Sequence, residues 1–282
     1  MGNRAFIKYN LIILLFASIA WLSLNASPLE NAQPKAPREP QKEQQIKKLV
    51  EVSDDQKNIT LPLRIFIIKD LSLNKRGVTM TTWITPEQIE EIIIPEINRI
   101  WKPAGIQWVI ESINIQNSVD LPTKQQHIEY VQNSVREPKD SKNRRFPDRT
   151  KKIKELCGDK NNHPRMQNLY FFPYVGQTYQ GFANLRGNNA YLGVYSDKHT
   201  KGIKPPEKVL LIEKLPMKRG SLGRTAAHEL GHNLGLEHPI KTSQKVFNRI
   251  MGGRKQGYNL TPEEITKARA IALKRAKKIL AP

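Results

Sequence analysis

The stretch His228-Glu229-Leu230-Gly231-His232-Asn233-Leu234-Gly235-Leu236-Glu237-His238 places three of the chain's six histidines and one carboxylate at spacings that a single metal ion can use. His228 and His232 stand at i and i+4, so on an α-helix their imidazoles leave one face about one turn apart. Glu229 is turned by about 100° from His228 around that helix, which sets its carboxylate beside the metal as a natural general base. Gly235 lies three residues past the second histidine, and glycine takes the positive φ that ends a helix and turns the chain sharply. That turn can return His238 as a third ligand. Three histidines leave a fourth tetrahedral position for water, which distinguishes a catalytic zinc site from a closed structural one. The competing reading is a surface helix with solvent-facing histidines, and five fixed positions together weigh against it.

The pattern H-E-x-x-H-x-x-G-x-x-H followed by a methionine turn resembles the metzincin signature, and its residues look most like the matrixin and reprolysin branches. The resemblance implies that His228, His232 and His238 bind Zn2+ and that Glu229 activates a zinc-bound water. It further implies that a downstream methionine forms a turn beneath the metal; Arg249-Ile250-Met251-Gly252-Gly253 supplies it, with Met251 lying 13 residues past His238. Pro239 stands where matrixins carry serine and reprolysins aspartate, so the subfamily stays open. The tyrosine of the astacin and serralysin branches has no counterpart two positions after Met251; Tyr258 is a candidate stand-in.

The amino terminus indicates where such an enzyme would work. Residues 1–9 carry Arg4 and Lys8 without an acid, residues 11–24 are mainly apolar, and Ala26 precedes Ser27. This reads as a signal peptide over residues 1–26, and its apolar run of about 14 residues is shorter than the ~20 that span a bilayer. The expected location is secreted or periplasmic, with no stable membrane span. Residues 27–58 interleave Pro28, Pro34, Pro37 and Pro40 with Gln, Lys and Glu, which predicts a flexible linker or short pro-segment. Cys157 is the single cysteine, so no intramolecular disulfide can form; it reads as a free thiol rather than a zinc-capping switch.

Residues 59–282 are enough for one catalytic domain. Residues 61–68 form an apolar run expected to be a strand. Thr85-Pro86-Glu87-Gln88 combines an N-cap, proline at N1 and glutamine at N3. Ile89, Ile93, Ile97 and Trp101 then recur at helical spacing, with Pro95 expected to kink the helix. Gly105 ends it, and Ile106, Trp108 and Ile110 alternate as on a second strand. Asn98-Arg99-Ile100-Trp101-Lys102-Pro103-Ala104-Gly105-Ile106 resembles the corresponding metzincin segment. The fold expected is therefore α/β (α+β): a metzincin-like zincin domain whose twisted, mostly parallel sheet carries an active-site helix and a C-terminal helix.

Residues 119–168 read as a basic insertion, with ten Lys or Arg against four Asp or Glu between positions 139 and 165. Residues 169–175 and 181–195 are strand candidates. By resemblance, residues 181–194 form the upper rim of the cleft and pair with extended substrate. Thr261-Pro262-Glu263-Glu264 opens a last helix expected to pack beneath the active-site helix. Lys274, Arg275, Lys277 and Lys278 in its final turns complement the helix dipole or add to a basic surface.

The net charge of +20 comes without a nucleic-acid recognition motif, and behind an export signal it does not point to nucleic acid. Anionic cell-surface polymers or acidic proteins are the partners it suits. Two functions stand at this point: a zinc metalloendopeptidase acting on protein or peptide substrates, and a non-catalytic secreted zinc-containing binding protein with a basic surface for anionic partners. The retained Glu229 favours the enzyme. Oligomeric state is not legible.

Overall fold

The computed structural model describes residues 39–55, 57–75, 78–133, 148–158, 166–175, 181–195, 221–239, 248–252 and 257–281. The expected signal peptide, residues 1–26, lies outside them. Helix α1 (Glu39–Lys48) and the short strand β1 (Glu51–Val52) begin the described fold. Within residues 27–58, expected to be a flexible linker or short pro-segment, Glu39–Lys48 are helical, and Ile46 and Val50 are buried in the main core.

Strand β2 (Ile59–Ile68) is the spine, buried almost throughout. A strand covered on both faces reads as a continuous apolar run rather than an alternation. It is paired in parallel with β5 (Ile106–Gln116) on one edge and β6 (Gln167–Tyr174) on the other. Pro62 is tolerated in this central strand because it falls between the pairing of β1 at Ile59 and Thr60 and that of β6 from Leu63 onward. Arg64 is buried by pairing with Glu111, its Nε donating at 2.9 Å, beside a bulge in the β2–β5 ladder. Strands β3 (Ser72–Lys75) and β4 (Val78–Thr81) form a separate antiparallel pair.

The helical segment after β4 starts as the capping motif requires: Thr85 and Gln88 exchange side-chain and backbone hydrogen bonds. It comprises α2 (Pro86–Gln88), a π-helical turn (Ile89–Ile93) and α3 (Ile94–Trp101). Pro95 falls inside this continuous helix, directly after the π turn, whose Ile94 amide bonds back to the Ile89 carbonyl; the irregular bonding there accommodates the missing proline N–H. Asn98 uses both ends of its amide on the Trp108 backbone, at 2.9 and 2.7 Å, fixing α3 to β5. Gly105 turns the chain with φ 60°.

Helices α4 (Lys124–Asn133) and α5 (Asp148–Cys157) occupy the stretch read as an exposed basic insertion. Its lysines hide an apolar stripe: Val131, Ile153, Leu156 and Cys157 are all buried in the main core, so the described part of this segment belongs to the packed fold. Residues 134–147 and 159–165 lie outside the described set.

Strand β8 (Asn189–Tyr195) is parallel to β6, and β7 (Gly181–Ala183) pairs antiparallel with β8 at the end of the sheet. The expected single rim strand is thus a hairpin of which only β7 lies at the edge. The sheet is mixed but mostly parallel, in a mixed α/β architecture. Phe66, Tyr170, Tyr191 and Phe182 stack in register across β2, β6, β8 and β7, with ring centroids 4.7, 4.9 and 4.7 Å apart.

Helix α6 (Leu222–Asn233) packs on α3, β7 and β8, and α7 (Pro262–Leu280) closes the fold. The principal neighbours of α7 are β2, β1, α1 and the 3-10 turn Lys102–Ala104, rather than the underside of α6. It reaches α6 at its far end, where Arg275 donates to the Asn233 carbonyl at 3.0 Å. Arg275 also donates to Asn188 and Gly187, so it is a half-buried tie between α7 and the turn before β8 rather than only a dipole-complementing or surface charge. Among the described residues, no helix is long and apolar enough to cross a membrane.

Candidate metal centre

Ser221 caps α6 by accepting the Arg224 amide at 3.1 Å. The helix then runs without a β-branched interruption except Thr225 and ends in a Schellman arrangement. Gly235, at φ 83°, donates to the His232 carbonyl, and Leu236 donates to that of Gly231, both at 2.9 Å. This reversal brings the chain back along the helix. His228, His232 and His238 thereby converge, each offering a ligand atom within 4.8 Å of the others. Their rings form a near-equilateral triangle with centroids 4.7 to 5.0 Å apart.

The imidazoles are oriented by backbone carbonyls, which can only accept. His228 Nδ1 therefore donates to the Ile250 carbonyl at 2.7 Å, and His232 Nδ1 to that of Leu236 at 2.8 Å. Each ring is held in the tautomer that leaves its Nε2 lone pair available, the usual outer support of a metal-binding histidine. His228 Nε2 lies 3.0 Å from His238 Nε2, close to the roughly 3.3 Å that tetrahedral zinc–nitrogen geometry requires. Burial above all, then the neighbouring His232 and Arg224, holds His228 well below the ordinary histidine range. Burial likewise brings His232 down to about 4. Neutral imidazoles are the form that binds metal, so the donor set fits a divalent ion such as zinc.

Glu229 is 5% exposed, and no described group partners its Oε2. Burial pushes its carboxyl up to about 8, against a smaller downward pull from Arg224. A cation held by three neutral rings favours the ionised form of a carboxylate beside it. Gly181 of β7 lies over Glu229, where an added Cβ would stand 2.8 Å from Glu229 Cγ and 2.9 Å from Oε1. Exposure rises along the site, from buried His228 through half-buried His232 to exposed His238, so the cluster opens to solvent on the His238 side.

Met251 is fully buried, in a turn closed by the Gly252 amide on the Arg249 carbonyl at 3.0 Å. A Cβ at Gly231 would lie 2.8 Å from the Met251 sulfur, which puts the thioether against α6 between the first two histidines' turns. Arg249 anchors this turn to α7 through Glu264 at 2.7 Å. Tyr258 is exposed, and Cys157 is buried at the end of α5.

Two participants were not singled out from sequence. Arg224, one turn before His228, was visible as a lone cation on a helix of small and apolar residues. Gly181 had no signal, because its role depends on which strand faces Glu229.

No protein-family model matches the chain, and no curated protein matches it in sequence. Fifty-five chains of solved structures match it. One, from the structure of a chaperone–substrate complex, superposes with a TM-score of 0.38 at 12% identity, covering 78% of this chain and 35% of that one. The present chain thus spans about a third of that neighbour's length. Another distant neighbour is a zinc-dependent peptidase from Methanocorpusculum labreanum, with a TM-score of 0.35 at 13% identity, covering 73% of this chain and 99% of that one.

Proposed function

We propose that this protein is a secreted, zinc-dependent endopeptidase with a metzincin-like catalytic domain. The observation that carries the reading is the convergence of His228, His232 and His238 beside buried Glu229, whose Oε2 has no hydrogen-bond partner among the described residues. A purely structural zinc site has no use for such a carboxylate.

His228, His232 and His238 would hold the ion, which when bound supplies Lewis acidity that polarises a carbonyl and acidifies water. Glu229 takes a proton from the water that attacks the scissile carbonyl carbon and delivers it to the amine as the carbon–nitrogen bond breaks. Burial raises the carboxyl's affinity for protons and a bound cation would lower it, which would leave the ionised form available to accept the proton. Met251 would floor the site beneath α6. Extended substrate would lie along β7, the last strand of the sheet, adding its backbone as a further strand next to Glu229.

The test is Glu229→Gln in the mature protein, assayed with casein and with a peptide library. The variant should keep one zinc per chain and lose cleavage; full cleavage with stoichiometric zinc would sink the mechanism. Mass spectrometry of the exported protein, showing a new amino terminus near Ser27, tests secretion. Zinc-independent binding to an anionic polymer with no cleavage would favour a binding protein instead.

A further inference from the structure

Arg224 is 1% exposed, and a buried guanidinium is costly unless its charge and its donors are met. Its charge lies in the field of two buried carboxylates, Glu96 and Glu229. Its base is rigid: Ser221 accepts the Arg224 amide and donates to Glu96 Oε1 at 2.6 Å. Gly223 is the residue against which Glu96 rests, where any side chain would collide. The fork is then aimed at backbone. Nε donates to the Gly257 carbonyl at 2.8 Å and Nη2 to the Ile250 carbonyl at 2.6 Å.

Ile250 is also the residue whose carbonyl accepts from His228 Nδ1 at 2.7 Å. Arg224 and His228 are i and i+4 on α6, so they leave one face and reach one oxygen, whose two lone pairs can serve both. The same guanidinium holds Gly257, the other end of the stretch that begins at Ile250. We infer that Arg224 is a positioning residue of the metal centre: it staples Ile250 and Gly257 to α6 and, through the shared Ile250 carbonyl, locks the tautomer and orientation of His228. The inference rests on the metal-dependent reading above. Lysine cannot replace it, because a single ammonium on a flexible stem does not span two fixed acceptors as the planar fork does.

The test compares the full mature chain with its Arg224→Lys and Arg224→Gln variants, with folding checked by circular dichroism. The decisive readout is the His228 tautomer in chelator-treated protein, read from imidazole 15N shifts. Zinc affinity by competition with a chromophoric chelator is its consequence. In the unaltered protein His228 should carry its proton on Nδ1 alone. Both variants should show a mixture of tautomers, with zinc affinity lowered about 10- to 100-fold, the usual loss when a ligand's outer support is removed. An unchanged tautomer overturns the inference whatever happens to affinity, since any loss would then not run through His228. If Arg224→Gln does not fold, Arg224→Lys decides, as it keeps a charge between Glu96 and Glu229. If the unaltered protein binds no zinc, the metal-dependent reading fails, while the tautomer comparison still decides the part played by Arg224.

Discussion

Gly181 leaves no room for a side chain against Glu229: a Cβ there would stand 2.8 Å from Glu229 Cγ, closer than real contacts allow. Leu192 Cδ2 crowds the same space at 2.9 Å, so the methyl cannot turn away. Gly181→Ala should therefore displace the carboxylate and leave the three histidines in place. We expect zinc stoichiometry to be retained and kcat/KM to fall roughly 100-fold, the scale of loss from a misplacement of about 1 Å. Metal analysis and peptide cleavage on one preparation check it; unchanged cleavage would mean that β7 does not confine Glu229.

The three histidines differ in what else they do. His228 is buried and hydrogen-bonded to Ile250, whereas His238 lies on the exposed side of the cluster. Either alanine substitution should weaken zinc binding by more than about 100-fold, since changes one shell further out already cost 10- to 100-fold. Only His228→Ala should also lower the melting temperature of the chelator-treated protein. Differential scanning fluorimetry with and without chelator separates the two; equal melting losses would contradict the gradient of burial.

The pH dependence of the metal-free protein follows from Glu229. Its carboxyl titrates at about 8 when folded against 4.5 as the ordinary value, so the folded state binds the extra proton between those limits. Stability from this group is present at low pH and is lost as pH rises toward 8. Glu229→Gln removes that loss: the variant should melt several degrees above the unaltered chain at pH 9, with the gap closing near pH 5. His232 acts with opposite sign. Its folded value of about 4 lies below the ordinary 6.5, so it destabilises the fold as pH falls through that window. Comparing the two proteins at each pH cancels this contribution. A gap independent of pH would show that Glu229 does not titrate as described.

Gly235 provides a backbone test. Its φ of 83° disfavours any side chain, while the neighbours of an added Cβ, Arg186 and Ile271, stand at ordinary contact distances of 3.5 and 3.6 Å. Gly235→Ala should therefore cost only the conformational penalty, about 1–2 kcal/mol, or a few degrees of melting temperature for a domain of this size. Asn, which tolerates this region better, should lose less. A loss as large as that of a core truncation would mean the site is crowded rather than strained.

The histidine cluster was legible because its geometry is local: i, i+4 spacing, a helix-ending glycine and a return of three residues involve no distant contact. Thr85 and Thr261 announced their helices for the same reason, since a capping box is complete within four residues. What could not be read depended on tertiary context. The charges of residues 148–157 concealed Ile153 and Leu156, whose burial requires a neighbouring surface that sequence does not display. Arg275 looked like one of several dipole-complementing cations until the turn at Asn188 met it from 87 residues away. Arg224 was similarly ambiguous, because an arginine's place is set by the carbonyls it finds.

The aromatic ladder bears on how the rim is held. At three residues, β7 has too few backbone hydrogen bonds to keep its own position, and Gly181 adds no side chain. Phe182, between two residues that face α6, projects to the opposite side and stacks on Tyr191 with planes 16° apart. Tyr170 and Phe66 continue that stack to the buried spine of the sheet. The strand that lies over the carboxylate is thus cantilevered from the buried central strand, and its sideways play is governed by ring against ring, on the face turned away from Glu229.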